Sequence, residues 1–265
     1  MDTRFWGPSG WKLIHLAAVS YNPNKRAHMR RWLASLPYIL PCKFCRASLM
    51  EYYDELPYES SLDSAKSLLR WTYKIHGLVN EKLRGQGQTI PCDPTFKEVE
   101  TYYKSWIQAD PSCARFPVWD FLFSVAYQHP RATNNSTPMP DAPERPPSKC
   151  SLKNKCRWNF ISAEERMPFY RTFWQELIHI LPTDQLQARW RNALQQIPLG
   201  RTIEARRPLV LWVWHMHKST DVEQEAFPAV CRRLLTHSSN CSKSKRARTC
   251  RRSSRNLTSK KKHTL

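Results

Sequence analysis

Glycine and long apolar segments are scarce in this chain, and each absence argues against a class of protein. Only 6 of the 265 residues are glycine, which disfavours a glycine-rich phosphate loop and a β protein dense in tight turns. The longest apolar runs, 13–19 and 209–214, fall well short of the roughly 20 residues of a transmembrane helix. The first residues also lack an apolar signal core. We therefore expect neither a membrane span nor a secretory leader.

Aromatic residues and positive charge are abundant. The chain has 11 Trp, 41% hydrophobic residues and a net charge of +20, so it can bury a real core in one large or two small domains. Residues 237–265 carry no acidic residue and half of the excess positive charge. We expect a disordered basic tail there. Such a tail is either simply solvated or binds nucleic acid or an acidic partner weakly.

The segment 1–113 shows helical rather than strand periodicity. Apolar residues at helical spacing predict helices over 11–19, 29–36 (ending at Pro37) and 42–52, a longer one from about residue 60 to Gly85, and a fifth over 95–107. Alternation of Val and Ile is absent. The predicted fold class is therefore all-α, a small helical bundle.

The segment 114–236 repeats this pattern weakly. Segments 39–41 and 71–76 recur as 180–182 and 212–217, with the same separation along the chain. Segment 11–23 recurs from residue 119 onward, with a shorter separation. The difference implies an insertion, which we place in a Pro/Ser/Asn-rich loop over 131–165. We interpret 114–236 as a degenerate copy of the first bundle; the alternative is an unrelated helical domain with chance matches.

The copy has lost the residues that carry chemistry. Thr183 and Leu186 stand where the first half has Cys42 and Cys45, and Phe123 stands in place of His15.

Cysteine is unusually frequent for a chain without a visible secretory signal. There are nine cysteines, and Cys42-Lys43-Phe44-Cys45 is a CxxC that opens a predicted helix, where a thiolate is favoured. By itself the motif allows a zinc half-site, a redox pair or two buried thiols. No second ligand pair follows at zinc-finger spacing, so we predict no metal site.

Two histidines lie among apolar residues of the predicted bundle. His76 and Asn80 share one helix face with Tyr73 one turn earlier, and His15 lies on the first helix. These side chains either complete the core or stack on a flat heteroaromatic ligand.

Taken together, the motifs resemble one family. Trp11-Lys-Leu-Ile-His15-Leu-Ala-Ala18, then Tyr21 and Pro23, Pro41-Cys42-x-x-Cys45, and His76-x-x-Val79-Asn80-x-Lys82-Leu83 are similar to the Erv/ALR family of FAD-linked sulfhydryl oxidases. The opening Phe5-Trp6-Gly7 resembles the members carried by large DNA viruses. The resemblance covers about residues 4–113 and implies a helical bundle that holds FAD beside the CxxC.

The resemblance also implies residue roles. Cys45 would face the isoalloxazine, and the more exposed Cys42 would exchange with substrate thiols. Cys92 and Cys113 would form a structural disulfide. The residues implied to bind FAD are Trp11, His15, Tyr21, Cys45, Tyr73, His76, Asn80, Lys82 and Arg84. There are departures from the family pattern: Gly77 replaces an expected Asn, Arg84-Gly85 replaces a Gly-Lys pair, and an Arg expected before Trp11 is missing.

The resulting expectation is an FAD-dependent thiol oxidase that forms disulfides in protein dithiols and passes electrons to oxygen, yielding hydrogen peroxide. The degenerate copy would act as an intramolecular dimer partner, by analogy with quiescin oxidases, unless the chain forms a homodimer. A mobile shuttle pair could be Cys241 with Cys250 or Cys150 with Cys156. The expected location is the host cytoplasm or the virion. The alternatives are a catalytically dead scaffold or nucleic-acid-binding virion protein, and a zinc protein.

Overall fold

The computed structural model describes residues 1–132 and 161–238 of the chain. Within these ranges it contains α-helices and short 3-10 turns and no strand, which confirms the all-α prediction. The described ranges hold ten α-helices in this order: α1 (Thr3–Val19), α2 (Arg26–Ile39), α3 (Lys43–Glu55), α4 (Ala65–Gly85), α5 (Phe96–Ala109), α6 (Trp119–Tyr127), α7 (Ala163–Ile180), α8 (Asp184–Gln196), α9 (Arg206–Thr220) and α10 (Phe227–Ser238).

Side-chain caps fix where most of these helices begin. The Asp2 carboxylate caps α1 and the Ser64 hydroxyl caps α4 by accepting hydrogen bonds from backbone N–H groups of the first turn. Thr95 and Ser162 start α5 and α7 with capping boxes, each paired with a glutamate three residues later. The polar residues before the apolar stripe therefore determine where these four helices begin.

Several predicted helix limits are wrong. Helix α1 begins at Thr3 rather than at residue 11, because the Asp2 carboxylate caps it, and α2 begins at Arg26 rather than at residue 29. Residues 59–63 form a separate 3-10 turn, and α4 begins after Ser64 rather than at residue 60. The second helix passes through Pro37 and ends at Ile39. Proline removes the N–H that would bond the carbonyl of Leu33, and the Tyr53 hydroxyl of α3 donates to that carbonyl at 3.1 Å.

The limits expected for the loop and the tail also need correction. A 3-10 turn spans Pro130–Ala132 and α7 begins at Ala163, so both ends of the predicted 131–165 loop are helical. Helix α10 runs to Ser238, which lies inside the predicted tail, because Val230 and Leu234 anchor it in the core. The rest of both segments lies outside the described residues.

Backbone features of the first half recur in the second at the separation that the sequence repeat predicts. Helix α3 at 43–55 corresponds to α8 at 184–196, the 3-10 turn at 59–63 corresponds to 200–204, and the starts of α4 and α9 are residues 65 and 206. The Trp71 indole donates to the carbonyl of Leu56 at 2.8 Å, and the Trp212 indole donates to that of Ile197 at 2.9 Å. The two halves thus follow the same path from the second helix of each to the fourth.

The halves share one core. Helix α2 packs along α7 and α1 packs against α6. Trp32 of α2 and Phe173 of α7, which also correspond in the repeat, are fully buried with ring centroids 6.0 Å apart. The apolar face of each second helix is therefore covered by the other half.

The bond from Tyr53 to the Leu33 carbonyl yields a stability prediction. Tyr53→Phe leaves a buried carbonyl without this donor and should lower the free energy of unfolding by about 1–2 kcal/mol. The second half supports this pairing, because Ile178 stands in place of Pro37 and Leu194 in place of Tyr53.

The measurement is chemical denaturation of four proteins: the parent, Tyr53→Phe, Pro37→Ala and the double variant. Restoring an N–H at residue 37 should make the loss of the hydroxyl less destabilising. Additive effects of the two substitutions would contradict the assignment.

Candidate active site

The CxxC lies where the turn after α2 enters α3. Cys42 is the N-cap of α3, with extended backbone angles, and its sulfur accepts a hydrogen bond from the Cys45 N–H at 3.4 Å. Lys43 and Arg46 follow within the same turn. The first-turn N–H groups and the nearby cations favour a thiolate at Cys42.

The expected order of exposure of the two cysteines is wrong. Cys42 is only 6% exposed and belongs to the core, whereas Cys45 is partly exposed. The reason is their position on α3. Cys42, at the N-cap, packs within the core, and Cys45, one turn further along the helix, lines a cavity.

This cavity, which we call the inner cavity, has a volume of about 480 Å³ and lies between α1, α3 and α4. Trp11, Cys45, His76, Asn80 and Lys82 all line it, so the structure brings together five of the predicted site residues. Cations lie at its walls, since Arg4 and Lys12 of α1 also line it.

A second, more open cavity of about 930 Å³ adjoins it between α4 and α5; we call it the outer cavity. The side chains of His76, Asn80 and Tyr103 line both. Tyr73 lines the outer cavity, and its hydroxyl donates to the carbonyl of Pro94 at 3.0 Å. Each volume lies within the range of about 300–1,000 Å³ that is usual for ligand pockets.

A chain of hydrogen bonds sets the protonation of the two site histidines. The Thr72 hydroxyl donates to the carbonyl of Leu69 at 2.8 Å, so it accepts from His15 Nδ1 at 2.9 Å. The other ring nitrogen of His15 then accepts from His76 Nδ1 at 3.1 Å. Burial lowers the pKa of His15 to about 3 and that of His76 to about 4. Both imidazoles are neutral near pH 7.

The same rings form an aromatic cluster at the junction of the two cavities. Trp11 lies flat on His76, with centroids 4.0 Å apart and planes 10° apart, and Tyr103 lies 5.0 Å from the His15 ring. Tyr103 was not anticipated, although it follows the aromatic pattern of α5. A flat ligand ring entering either cavity meets π faces.

Asp93 is the charged residue that the sequence analysis missed. Its carboxylate accepts from the Asn80 amide at 2.6 Å and from two nitrogens of Arg84 at 2.9 Å each. The Arg84 side chain also donates to the carbonyl of Pro91 and lines neither cavity. Arg84 therefore holds the segment after α4 in place, and this is a correction to its predicted role. The Arg84 bonds hold the pKa of Asp93 below its usual value.

Tyr21 is also misplaced by the sequence analysis. It lies in the core, where its hydroxyl donates to the carbonyl of Leu62 at 2.9 Å, and it lines neither the inner nor the outer cavity.

The expected disulfide between Cys92 and Cys113 is not formed in this structure. Cys92 is exposed beside the Arg84–Asp93 pair, whereas Cys113 is fully buried with its sulfur 3.6 Å from the Thr183 hydroxyl. A left-handed turn at Cys113 (φ +49°) directs the chain away from α5 and into the second half. The four cysteines predicted to shuttle electrons (Cys150, Cys156, Cys241 and Cys250) lie outside the described residues.

Large side chains fill the corresponding region of the second half. Trp190 stands in place of Leu49 and stacks on Trp119, the counterpart of Trp11, at 6.0 Å. Asp221, the counterpart of Asn80, accepts from the Trp119 indole at 2.8 Å and from the backbone N–H of Phe116 at 2.7 Å. His217, the counterpart of His76, is buried against Trp119.

Sequence comparison now identifies the first half, since the Erv1 / Alr family model matches residues 8–104, the segment that carries the CxxC and both histidines. Residues 8–104 thus form a domain that is similar to the Erv1/Alr family. No solved structure matches the chain. Within the described residues no helix is long and apolar enough to cross a bilayer.

Relatives of the Erv1/Alr domain include viral and cellular proteins. It is 33% identical over 85 residues to a probable FAD-linked sulfhydryl oxidase of Acanthamoeba polyphaga mimivirus. It is 26% identical over 87 residues to a putative FAD-linked sulfhydryl oxidase of Invertebrate iridescent virus 3 and 31% identical over 87 residues to the mitochondrial FAD-linked sulfhydryl oxidase of Saccharomyces cerevisiae. The matches span about 30% of this chain and 59%, 59% and 45% of the respective relatives.

The neutral histidine pair yields a pH prediction. Because the folded-state pKa values of His15 and His76 lie below the unfolded value of 6.5, the unfolded chain binds more protons as pH falls. The fold should therefore lose stability from about pH 6.5 down to about pH 4. Each pKa unit of separation is worth about 1.4 kcal/mol.

Melting temperatures measured between pH 4 and 8 test this. His15→Phe, which copies Phe123 of the second half, should flatten the acid-side slope. His215→Phe serves as the control, because it replaces a histidine outside the pair. An unchanged slope in His15→Phe would refute the buried-pair explanation.

Proposed function

We propose that the Erv1/Alr domain is an FAD-dependent thiol oxidase that forms disulfide bonds in protein substrates. The observation that carries the proposal is the placement of Cys45, whose side chain faces a cavity with aromatic and cationic walls. A dithiol beside a ligand cavity is the arrangement required to pass electrons from thiols to a bound redox cofactor.

The residues around the two cavities fit FAD. The faces of Trp11, His76 and Tyr103 suit its flat rings, and Arg4, Lys12 and Lys82 offer positive charge to its phosphates. The indole N–H of Trp6 is buried at the inner cavity and has no hydrogen-bond partner within the described residues, so it offers an unused donor. Lys82 is held in place by Ser48 of α3.

The chemistry of the protein residues is thiol–disulfide exchange. A substrate thiolate attacks the Cys42 sulfur of the oxidised pair, and Cys45 leaves as a thiolate. The second substrate thiol then attacks the mixed disulfide, which releases the oxidised substrate and leaves Cys42 and Cys45 reduced. FAD, when bound, supplies the two-electron acceptor that reoxidises the pair, with oxygen as the final acceptor and hydrogen peroxide as the product.

Burial of Cys42 constrains the substrate. A thiolate can reach its sulfur only if the turn over residues 40–42 moves or the substrate enters beside it. An extended, flexible segment of a protein that carries two cysteines meets this requirement better than a thiol inside a rigid fold.

We further propose that residues 114–236 are a degenerate copy that serves as a built-in partner. This proposal is supported by the matching element positions and by the packing of α2 on α7. Since Trp190 and Asp221 occupy the place of a second cofactor site, each chain should bind one FAD.

We make three further proposals, which concern the location of the protein, its basic tail and the cysteine pairs outside the described residues. Host cytoplasm or virion is the proposed location, and the basic tail is proposed to bind nucleic acid or an acidic partner weakly. The electron-shuttle role of the cysteine pairs outside the described residues also stays a prediction.

Absorbance spectroscopy of the purified chain tests the oxidase proposal. A flavin band that bleaches with dithiothreitol in air-free buffer and returns in air would establish the electron path. The Cys45→Ser variant should keep the flavin but lose dithiol-dependent oxygen consumption. The control variant Cys231→Ser, which removes a thiol in the second half, should keep the activity. A protein that remains colourless after addition of FAD would support the dead-scaffold alternative.

The flavin-to-chain ratio tests the built-in partner. One FAD per chain is the expected result, determined from flavin absorbance against amino-acid analysis. Two per chain would contradict the loss of the second site.

A further inference from the structure

Two histidines and a glutamate meet where the halves pack, far from the CxxC. His28 lies on α2, and Glu176 and His179 lie one turn apart on α7. His28 Nδ1 is 2.6 Å from Glu176 Oε2, and the two imidazoles stack with centroids 3.7 Å apart. One donor atom from each residue lies within 4.8 Å of the others.

The sequence repeat supplies an internal comparison for this cluster. It relates His28 to Phe169 and His179 to Tyr38. Tyr38 and Phe169 also stack at 3.7 Å, at the other end of the α2–α7 interface. Packing at this position is thus satisfied by phenyl rings, and it does not require two imidazoles.

Glu176 also differs in residue type from its counterpart in the first half. The corresponding residue of the first half is Ser35, whose hydroxyl donates to the carbonyl of Trp32 in its own helix. At the His28 end the serine position holds a largely buried carboxylate instead, 9% exposed. Three metal-ligating groups have therefore replaced three non-ligating ones at one end of a near-symmetric interface.

The His28 ring lies between a carboxylate and a guanidinium group. Its Nδ1 lies 2.6 Å from a carboxylate oxygen and 3.0 Å from Nη2 of Arg31. Arg31 Nε donates to the other carboxylate oxygen, Oε1, at 2.6 Å, so Oε2 is the oxygen that faces His28 and is placed to bind a cation.

We propose that His28, Glu176 and His179 bind a divalent transition metal ion, with Zn²⁺ the best match to two imidazoles and one carboxylate. Zinc–nitrogen and zinc–oxygen bonds of about 2.0–2.2 Å at tetrahedral angles place neighbouring donors roughly 3.4 Å apart. His28 Nδ1 and Glu176 Oε2, now 2.6 Å apart, must therefore separate slightly, and donors up to 4.8 Å apart must approach one another. A cavity of about 310 Å³ lined by His179, Lys25 and Gln187 adjoins the cluster and can supply water as the fourth ligand.

Two features define what the ion would do. Its ligands come from both halves, so it binds only when α2 and α7 are packed and stabilises that packing by mass action. The positive side chains of Lys25 and Arg31 lie near the cluster and repel a metal cation. The affinity for the metal should therefore be moderate, and the bound metal should exchange with solution. The site acts independently of FAD and of the CxxC.

The test compares the full chain, with its own cysteine thiols present, with a matched variant. His28→Phe/His179→Tyr installs the ring pair already present at Phe169 and Tyr38, so it removes the ligands and keeps the stack. Calorimetric titration with Zn²⁺ should show one site in the parent that the double variant lacks. Co²⁺ substitution separates this site from cysteine binding, since thiolate ligands add a charge-transfer band that imidazole and carboxylate do not.

Melting temperature gives an independent readout. Saturating Zn²⁺ should raise the melting temperature of the parent by several degrees and leave that of the double variant unchanged. A His215→Phe control should respond like the parent. Equal zinc affinity in the parent and the double variant, a thiolate-type Co²⁺ spectrum as the only signal, or no zinc binding by the parent would each overturn the proposal.

Discussion

The packing of α2 against α7 is the contact on which the rest of this structure depends. Trp32 and Phe173 are buried completely because each half supplies the surface that the other lacks. A helical bundle with an uncovered apolar face would associate with another copy or lose stability. The second half has Thr183 and Leu186 at the positions of the CxxC cysteines, and what it provides to the first half is apolar surface.

The two halves show how one path of the chain supports opposite outcomes. In the first half, Leu49 and Asn80 line the inner cavity beside Trp11, and Cys45 faces the same cavity. His15 lines the outer cavity. In the second, Trp190, Asp221 and Phe123 fill or bond across the equivalent region. Side-chain volume at a few positions separates a cavity from a core, while the helix starts and the Trp71 and Trp212 hydrogen bonds stay the same.

Much of the site was readable from the sequence, since Trp11, Cys45, His76, Asn80 and Lys82 do line one cavity. The failures share a cause. Arg84 was predicted to contact a ligand, but Asp93 follows it closely in the chain and captures it. Tyr21 and Cys113 have suitable chemistry, but their partners, Leu62 and Thr183, are distant in sequence. Periodicity places a residue on a helix face and does not say which neighbour faces it.

The sequence by itself determined the all-α class, the starts of α3 and α5 to within one residue, the position of the CxxC at a helix N-terminus and the recurrence of the first half in the second. These are local properties, set by caps, apolar spacing and the dipole of a single helix. Only the tertiary structure decided that Cys42 is buried and Cys45 faces the cavity, that His15 and His76 share one hydrogen bond, and that His28 meets Glu176 and His179. Those depend on which helix faces which across the core, and contacts between residues far apart in sequence leave no periodic trace along the chain.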